Sequence, residues 1–449
     1  MSDEPGVTRA LIESVRGLRY PDLTAEAREV ARHCVLDFLG VALAGAREPL
    51  VDILVDVLVR PEGASVAGLI GRNERATAPT AALINGAAGH ALDFDDTHTL
   101  MMGHPSVPVL PALLALCERE PVRGDALLTA LVAGIELECR LAAVIGARHY
   151  DVGFHSTATL GTFGAAAACA HLLGLEERQW AHAIGLAGTQ AAGLKAAFGT
   201  MTKPFHAGHA AAAGLVAAEL ARRGFTSAAD VVEVPQGFAR THAGDRPDGA
   251  ALERLAGRFL IRDTLFKYHA ACYLTHAAIE AARQLREEHA IDAASVESVE
   301  VTVAPGLLGV CNIAEPRTGL EGKFSLRATT ALALLGVDTA DLGTYSDARM
   351  ADPPLVRLRD RVRIVTQSGL ASTRAHVAVR SAGRNLDAEA DTGTPAADLT
   401  KQRARLRGKF DVLVTPLLGE PQTAKLAEAA LAIDGSPTAS SLLRLARPQ

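Results

Sequence analysis

The chain has 449 residues, more than one hydrophobic core usually serves, so two domains are expected. Hydrophobic residues make up 49% of it, and a formal charge of −6 is spread without a long basic run, which argues against nucleic acid or an anionic membrane surface as partner. The opening Met1-Ser2-Asp3-Glu4-Pro5 lacks a basic and then apolar leader pattern, no apolar run approaches a membrane span, and Cys34, Cys117, Cys139, Cys169, Cys272 and Cys311 are scattered without metal-site spacing; a soluble cytoplasmic protein with reduced core thiols is expected.

From the front, residues 24–45 read as an amphipathic helix with Thr24 as N-cap, an apolar stripe of Val30, Cys34, Phe38 and Val41, and Gly45 at its end. His33 and Asp37 lie close to that stripe and read as a satisfied, partly buried polar pair. Residues 76–91 read as a second helix, nearly all Ala, Leu and Gly, which allows close backbone packing. It delivers the chain into the densest chemistry of the sequence, Gly89-His90-Ala91-Leu92-Asp93-Phe94-Asp95-Asp96-Thr97-His98, followed by His104-Pro105-Ser106. Were 93–97 helical, Asp93, Asp96 and Thr97 would share a face. A solvated acidic turn is the plain alternative for such a stretch.

Downstream the same grammar recurs. An ionisable nitrogen stands just before a helix-like run at His104-Pro105-Ser106, at His155-Ser156-Thr157, at Lys203-Pro204 and at Lys267-Tyr268-His269. Ser106 and Ser156 read as N-caps, and Pro204 suits a first helical turn with Lys203 outside it. Helix N-termini favour anions, so four such ends, if they converge, make a site for a substrate with several carboxylates. Asp93 is the carboxylate among these cations and the natural candidate for acid/base work. Tyr150 is a possible second acid/base. His206 and His209 are read as packing residues, His90 and His98 as orienting neighbours, and Asp95 with Asp96 as an ion-pair network holding the loop.

After Lys267 the Ala-rich text gives way to β-branched alternation at Val296–Val303, Val362–Val365 and Ala375–Val379, with turns marked by Gly383, Gly393 and Pro395. Helices are expected at 270–288 and from Ser325 to Leu335, and helical periodicity returns from Leu399 to Leu445.

The stretches H-A-L-D-F-D-D-T-H with G-H-P-S, G-F-H-S-T with G-T-F-G, T-K-P-F-H-A-G-H-A-A and F-K-Y-H-A-A-C-Y-L-T-H resemble, in order, those of the MmgE/PrpD family of 2-methylcitrate dehydratases, cis-aconitate decarboxylases and iminodisuccinate epimerases. The resemblance runs from about residue 8 to about residue 440. It implies a mainly α fold, with a large all-helical domain over 1–267 and 399–449 and an inserted, smaller α+β lid over 268–398, substrate being held in the cleft. It implies Asp93, Thr97, His104, His155, Lys203 and Lys267 as site residues, and a homodimer; apolar Ala-rich blocks such as Ala165–Ala168 and Ala210–Ala213 are expected to offer surface that a second subunit covers.

Three reactions fit: dehydration, epimerisation and decarboxylation. Asp93 or His155 is expected as the base next to a carboxylate, His104 as proton donor to the leaving group, and Lys203 and Lys267 as carboxylate clamps, without metal or cofactor. The family's decarboxylases carry a histidine five places after the hinge lysine, where this chain has Cys272, and a tyrosine farther on with no clear counterpart near Gly309–Ile313. A buried thiol is a poor proton donor. The sequence therefore points first to a hydro-lyase acting on a 2-methylcitrate-like hydroxy-polycarboxylate, with Cys272, Thr97 and Tyr150 lining the substrate, then to an epimerase and last to a decarboxylase. A catalytically inactive di- or tricarboxylate-binding protein is the non-enzyme alternative.

Overall fold

The computed structural model describes residues 6–60 and 65–448; the Met1–Pro5 leader reading lies outside them. The chain divides into two compact units, Met1–Phe266 with Ala397–Gln449, and Lys267–Ala396. It is mainly α, with a smaller α+β portion.

In the first unit the helix Ala25–Gly45 starts on Thr24, whose side chain accepts from the Ala27 N–H. The next helix is Ala78–His90, capped by Thr77. It begins later than the sequence suggests because Ala76 pairs with Ala67 in a two-residue ribbon. His33 and Asp37 are fully buried and not each other's partner: His33 meets Glu29 and Gln402, while Asp37 meets Lys409.

The helices Ser106–Cys117, Ser156–Leu172 and Thr202–Arg222 carry small or apolar residues on every side, as core helices do. Their small residues set interhelical distance. A Cβ on Gly208 would lie 2.0 Å from the Leu83 carbonyl oxygen, and one on Gly86 2.8 Å from the Gly208 Cα. That crossing brings the end of the Ala78 helix beside the start of the Thr202 helix. Ala165–Ala168, Ala210 and Ala211 are wholly buried, a Cβ on Gly214 of the Thr202 helix meeting Ala165 at 2.5 Å, so the expectation that these alanine blocks form surface for a second subunit is corrected. The helix Leu399–Leu418 returns to pack on Ala25–Gly45, with the Phe410 ring against Gly40.

The second unit holds a four-stranded sheet in which Val296–Val303 is central, parallel to Val362–Thr366 and antiparallel to Arg374–Ser381; Arg384–Asp391 forms the far edge. Val299, Val301, Val303, Val377 and Val379 are buried on one face, and a bulge between Val296 and Ser298 restores their phase. The edge strand escaped the sequence reading because it has no β-branched residue. It forms because Ala382 and Gly383, with φ of 49° and 73°, make a tight hairpin that folds it back. The helix expected at 270–288 is His276–His289, preceded by a short 3-10 turn; the helix expected from Ser325 to Leu335 is Leu326–Leu335, with Ser325 as its cap. No helix among the described residues is long and apolar enough to cross a membrane.

Candidate active site

The acidic stretch is a loop, not the helix under which Asp93, Asp96 and Thr97 would share a face. Asp93 takes a φ of 50°, in the left-handed region that Asp tolerates better than most side chains, and its N–H returns to the His90 carbonyl. This turn leaves Asp93 half exposed while Phe94, Asp95 and Asp96 are buried. Thr97 is fixed by a bridge to Leu265 and donates its hydroxyl to the Gly103 carbonyl, leaving it an acceptor.

Lys203 places its ammonium 2.9 Å from the Asp93 carboxylate, and His104 Nε2 lies 3.6 Å from the same oxygen. His104 Nδ1 faces only oxygens, the Asp96 carbonyl at 2.7 Å and the Asp95 carboxylate at 3.2 Å. It therefore carries the proton, and Nε2 is the nitrogen turned to Asp93. Asp95 also accepts from His90 Nδ1 at 2.9 Å. Burial alone would raise Asp95, but the His104 and His90 rings outweigh it and hold its carboxyl well below the usual range. Burial pushes His90 down to about 4, against the pull of Asp95. Asp95 is the anionic centre of the loop, and its contact with the neutral His90 ring is a hydrogen bond where the sequence suggested an ion pair.

Asp96 behaves oppositely. It accepts from the N–H and hydroxyl of Ser106, closing the start of the Ser106 helix, yet burial pushes it up to about 7, with Asp37 and Asp95 adding to the rise. Ser106 is therefore the first residue of its helix and a donor to Asp96, not the N-cap expected of it; Pro105 stands at the cap. His155, not Ser156, likewise holds the cap position of its helix. Lys203 lies inside the first turn of Thr202–Arg222, not outside it. Lys267 is buried in the second unit and precedes no helix directly, since His276–His289 starts nine residues later. Of the four helix ends argued from sequence, two hold in position, and Lys203 is displaced by two residues.

His155 is buried. Its N–H is held by the Gly193 carbonyl at 3.0 Å, its ring stacks with His90 at 5.9 Å and meets the Phe198 edge at 4.9 Å, and its Nδ1 lies 3.2 Å from His206 Nδ1. Burial, with the Lys203 ammonium adding to it, holds the ring neutral, well below the usual imidazole range. His206 is thus a partner of His155, where the sequence suggested packing alone. The signal was present: Lys203 and His206 stand three apart on one helix and share a face.

Tyr150 sits on the short helix Arg148–Val152, with the Lys195 ammonium 3.7 Å from its ring centre. Burial raises its hydroxyl, and Asp93 is the next cause, so it lies within electrostatic reach of the site. Cys272 belongs to the second unit, where it is half-buried and its thiol helps to raise that of Cys311. A residue with no sequence signal holds the loop from behind. Lys409, buried on the returning helix, donates to Asp37 at 2.6 Å and to the Phe94 carbonyl at 2.7 Å, and covers the Phe94 ring at 4.0 Å.

His90, Asp93, Asp95 and His104 bring one donor atom each within 4.8 Å of one another, a set able to gather round a divalent cation. The positions nearest their oxygens are occupied by the two imidazole Nδ1–H groups and the Lys203 ammonium. The arrangement joins a lysine, the imidazoles of His104 and His155 and a half-open carboxylate, the parts needed to hold a carboxylate and move a proton beside it.

The MmgE/PrpD N-terminal domain is recognised over residues 9–250, and the MmgE/PrpD C-terminal domain over residues 269–434. The chain belongs to the MmgE/PrpD family. Similar curated proteins include the cis-aconitate decarboxylase of Homo sapiens, 32% identical over 291 residues, which cover 63% of this chain and 60% of that protein. The cis-aconitate decarboxylase of Aspergillus terreus is 30% identical over 302 residues, covering 63% and 61%. The cis-aconitate decarboxylase-like protein oryM of Aspergillus oryzae is 34% identical over 250 residues, covering 54% and 51%. The chain thus spans between half and two thirds of the length of these relatives.

Proposed function

We propose that this MmgE/PrpD protein is a lyase acting on a citrate- or aconitate-class polycarboxylate, with His155 as the base next to a substrate carboxylate. The observation that carries this reading is the neutral His155 ring in a site where Lys203 and the His104 Nε2 converge on one Asp93 oxygen. Asp93 is the other candidate base, its carboxylate already being paired with the Lys203 ammonium. In this reading Lys203 binds a substrate carboxylate and stabilises the charge that builds on it as the neighbouring proton leaves, Lys267 supplies a second clamp, and His104, once protonated on both ring nitrogens, gives its Nε2 proton to the departing hydroxyl, which leaves as water, and keeps the Nδ1 proton. Thr97 and Tyr150 complete the substrate contacts.

Between the possible reactions, Cys272 favours dehydration of a 2-methylcitrate-like hydroxy acid over decarboxylation. Its thiol is engaged with the Cys311 thiol and offers carbon no ready proton. The curated relatives named cis-aconitate decarboxylases support the second reading. Incubation with citrate, 2-methylcitrate, cis-aconitate and iminodisuccinate, followed by alkene absorbance and released carbon dioxide, separates them: alkene without carbon dioxide is expected, and carbon dioxide from cis-aconitate faster than any dehydration reverses the order. We also propose a cytoplasmic homodimer, for which the apolar groove of Leu50, Ile53, Leu54, Met201 and Phe205 offers surface.

A further inference from the structure

We propose that His206 is the positioning residue that fixes the tautomer of His155, keeping the proton on the His155 Nδ1 and leaving its Nε2 bare; this rests on the reading of His155 as the base. The two Nδ1 atoms are 3.2 Å apart, so one ring donates and the other accepts. The contact is built rather than incidental. Gly193, in a backbone conformation with φ of 147°, gives its carbonyl to the His155 N–H, and a Cβ built on it would lie 3.4 Å from the His206 ring. One residue therefore seats both imidazoles.

The direction of the bond follows from what surrounds His155. Among the described residues neither Nε2 has a hydrogen-bond partner in the protein, and neither is a buried orphan, so both are open to water or ligand. A proton on the His155 Nε2 would add a positive N–H end to a site that already holds the Lys203 ammonium, which opposes protonation of this ring. A lone pair there is favoured instead, so the proton sits on Nδ1 and is donated to the His206 Nδ1. His206 then carries its own proton on Nε2. Without an acceptor at that point the His155 ring loses the bond that holds the proton on Nδ1, and the two tautomers mix.

The test needs a readout that loss of packing alone would not produce. In protein labelled with nitrogen-15 histidine, long-range nitrogen–proton correlation spectra distinguish the tautomers, the His155 signals being assigned by their loss in His155→Gln. The wild type is expected to show His155 protonated on Nδ1. In His206→Leu that signature should move toward Nε2 protonation, with kcat down roughly 100-fold, the lower end of what general-base catalysis contributes, and KM little changed. In His206→Asn the side-chain oxygen stands near the lost Nδ1 and accepts the same proton, so the wild-type tautomer and most of the turnover should return.

A wild-type spectrum with the His155 proton on Nε2 overturns the proposal, and so does an unchanged His155 spectrum in His206→Leu. The first of these needs no His206 variant, so poor folding of His206→Leu leaves the proposal testable. Absence of turnover on every polycarboxylate, alongside the predicted spectra, would count against the lyase reading and not against this one.

Discussion

Asp93 and Lys203 act as a pair, and their substitutions should reveal it. Lys203→Ala should raise KM strongly, because a clamp binds substrate and transition state alike, while Asp93→Asn and His155→Ala should mainly lower kcat. Because the ammonium lies 2.9 Å from the carboxylate, the double variant Asp93→Asn with Lys203→Ala should cost less in kcat/KM than the product of the single losses. Steady-state kinetics on one accepted substrate checks both statements; additive losses would mean the pair is not coupled. Asp96 gives a second test. Its folded pKa of about 7 stands above the ordinary carboxylate value of 3.8, so between those values the folded state holds a proton that the unfolded state releases. Stability from this group is therefore greatest below pH 3.8 and falls as pH rises toward 7. Asp96→Asn should remove that fall and gain on the order of a few kcal/mol over wild type by neutral pH, read as a widening difference in unfolding midpoint across the window. An unchanged difference from pH 4 to 8 would mean that Asp96 does not hold its proton. At this scale the sequence exposed which residue types gather but not their pairing. His104, His155 and Lys203 were legible as cations near helix starts. That Asp96 rather than Ser106 closes a helix end was not, because a side chain's direction in a loop depends on one backbone torsion, the positive φ at Asp93.

At the scale of elements, periodicity served where a face is buried and failed where a turn decides. Val296–Val303 and the Thr24-capped helix carry patterns that burial enforces, and both lie where the pattern puts them. The edge strand Arg384–Asp391 has no apolar alternation, being held by hairpin geometry and backbone pairing, and the start of His276–His289 is set by a 3-10 turn that propensity does not announce. The crossing of the Ala78 and Thr202 helices is the element-level device that builds the site. Gly208→Ala would press a methyl group against the Leu83 carbonyl and part the helices on which His90 and Lys203 stand. It should cost about 1–3 kcal/mol of stability, as overpacking does, and lower activity further than the stability loss explains. Urea unfolding with parallel kinetics checks this; unchanged stability would show that the crossing has slack. Lys409 illustrates what sequence distance hides, since it meets Phe94 across 315 positions and no local pattern links them.

At the scale of the whole molecule, two units divide at Phe266 and Ala396 while the family match extends across both. The alanine-rich helices that suggested surface for a second subunit are spent inside the first unit, so the proposed homodimer would draw on other residues: Ile53 and Met201 are 54% and 51% exposed beside Leu50 and Phe205. Light scattering on the purified chain should give twice the monomer mass, and Ile53→Asp should reduce it. A wild type that stays monomeric at high concentration would end the dimer proposal. The lyase reading itself is tested most directly by following purified protein and carbon-13-labelled 2-methylcitrate, and separately cis-aconitate, by nuclear magnetic resonance. The account predicts that the hydroxy acid loses water to an alkene, with no labelled carbon dioxide and with the activity removed in His155→Ala. Carbon dioxide release from cis-aconitate exceeding any dehydration would contradict the hydro-lyase assignment, and inert substrates throughout would contradict the lyase.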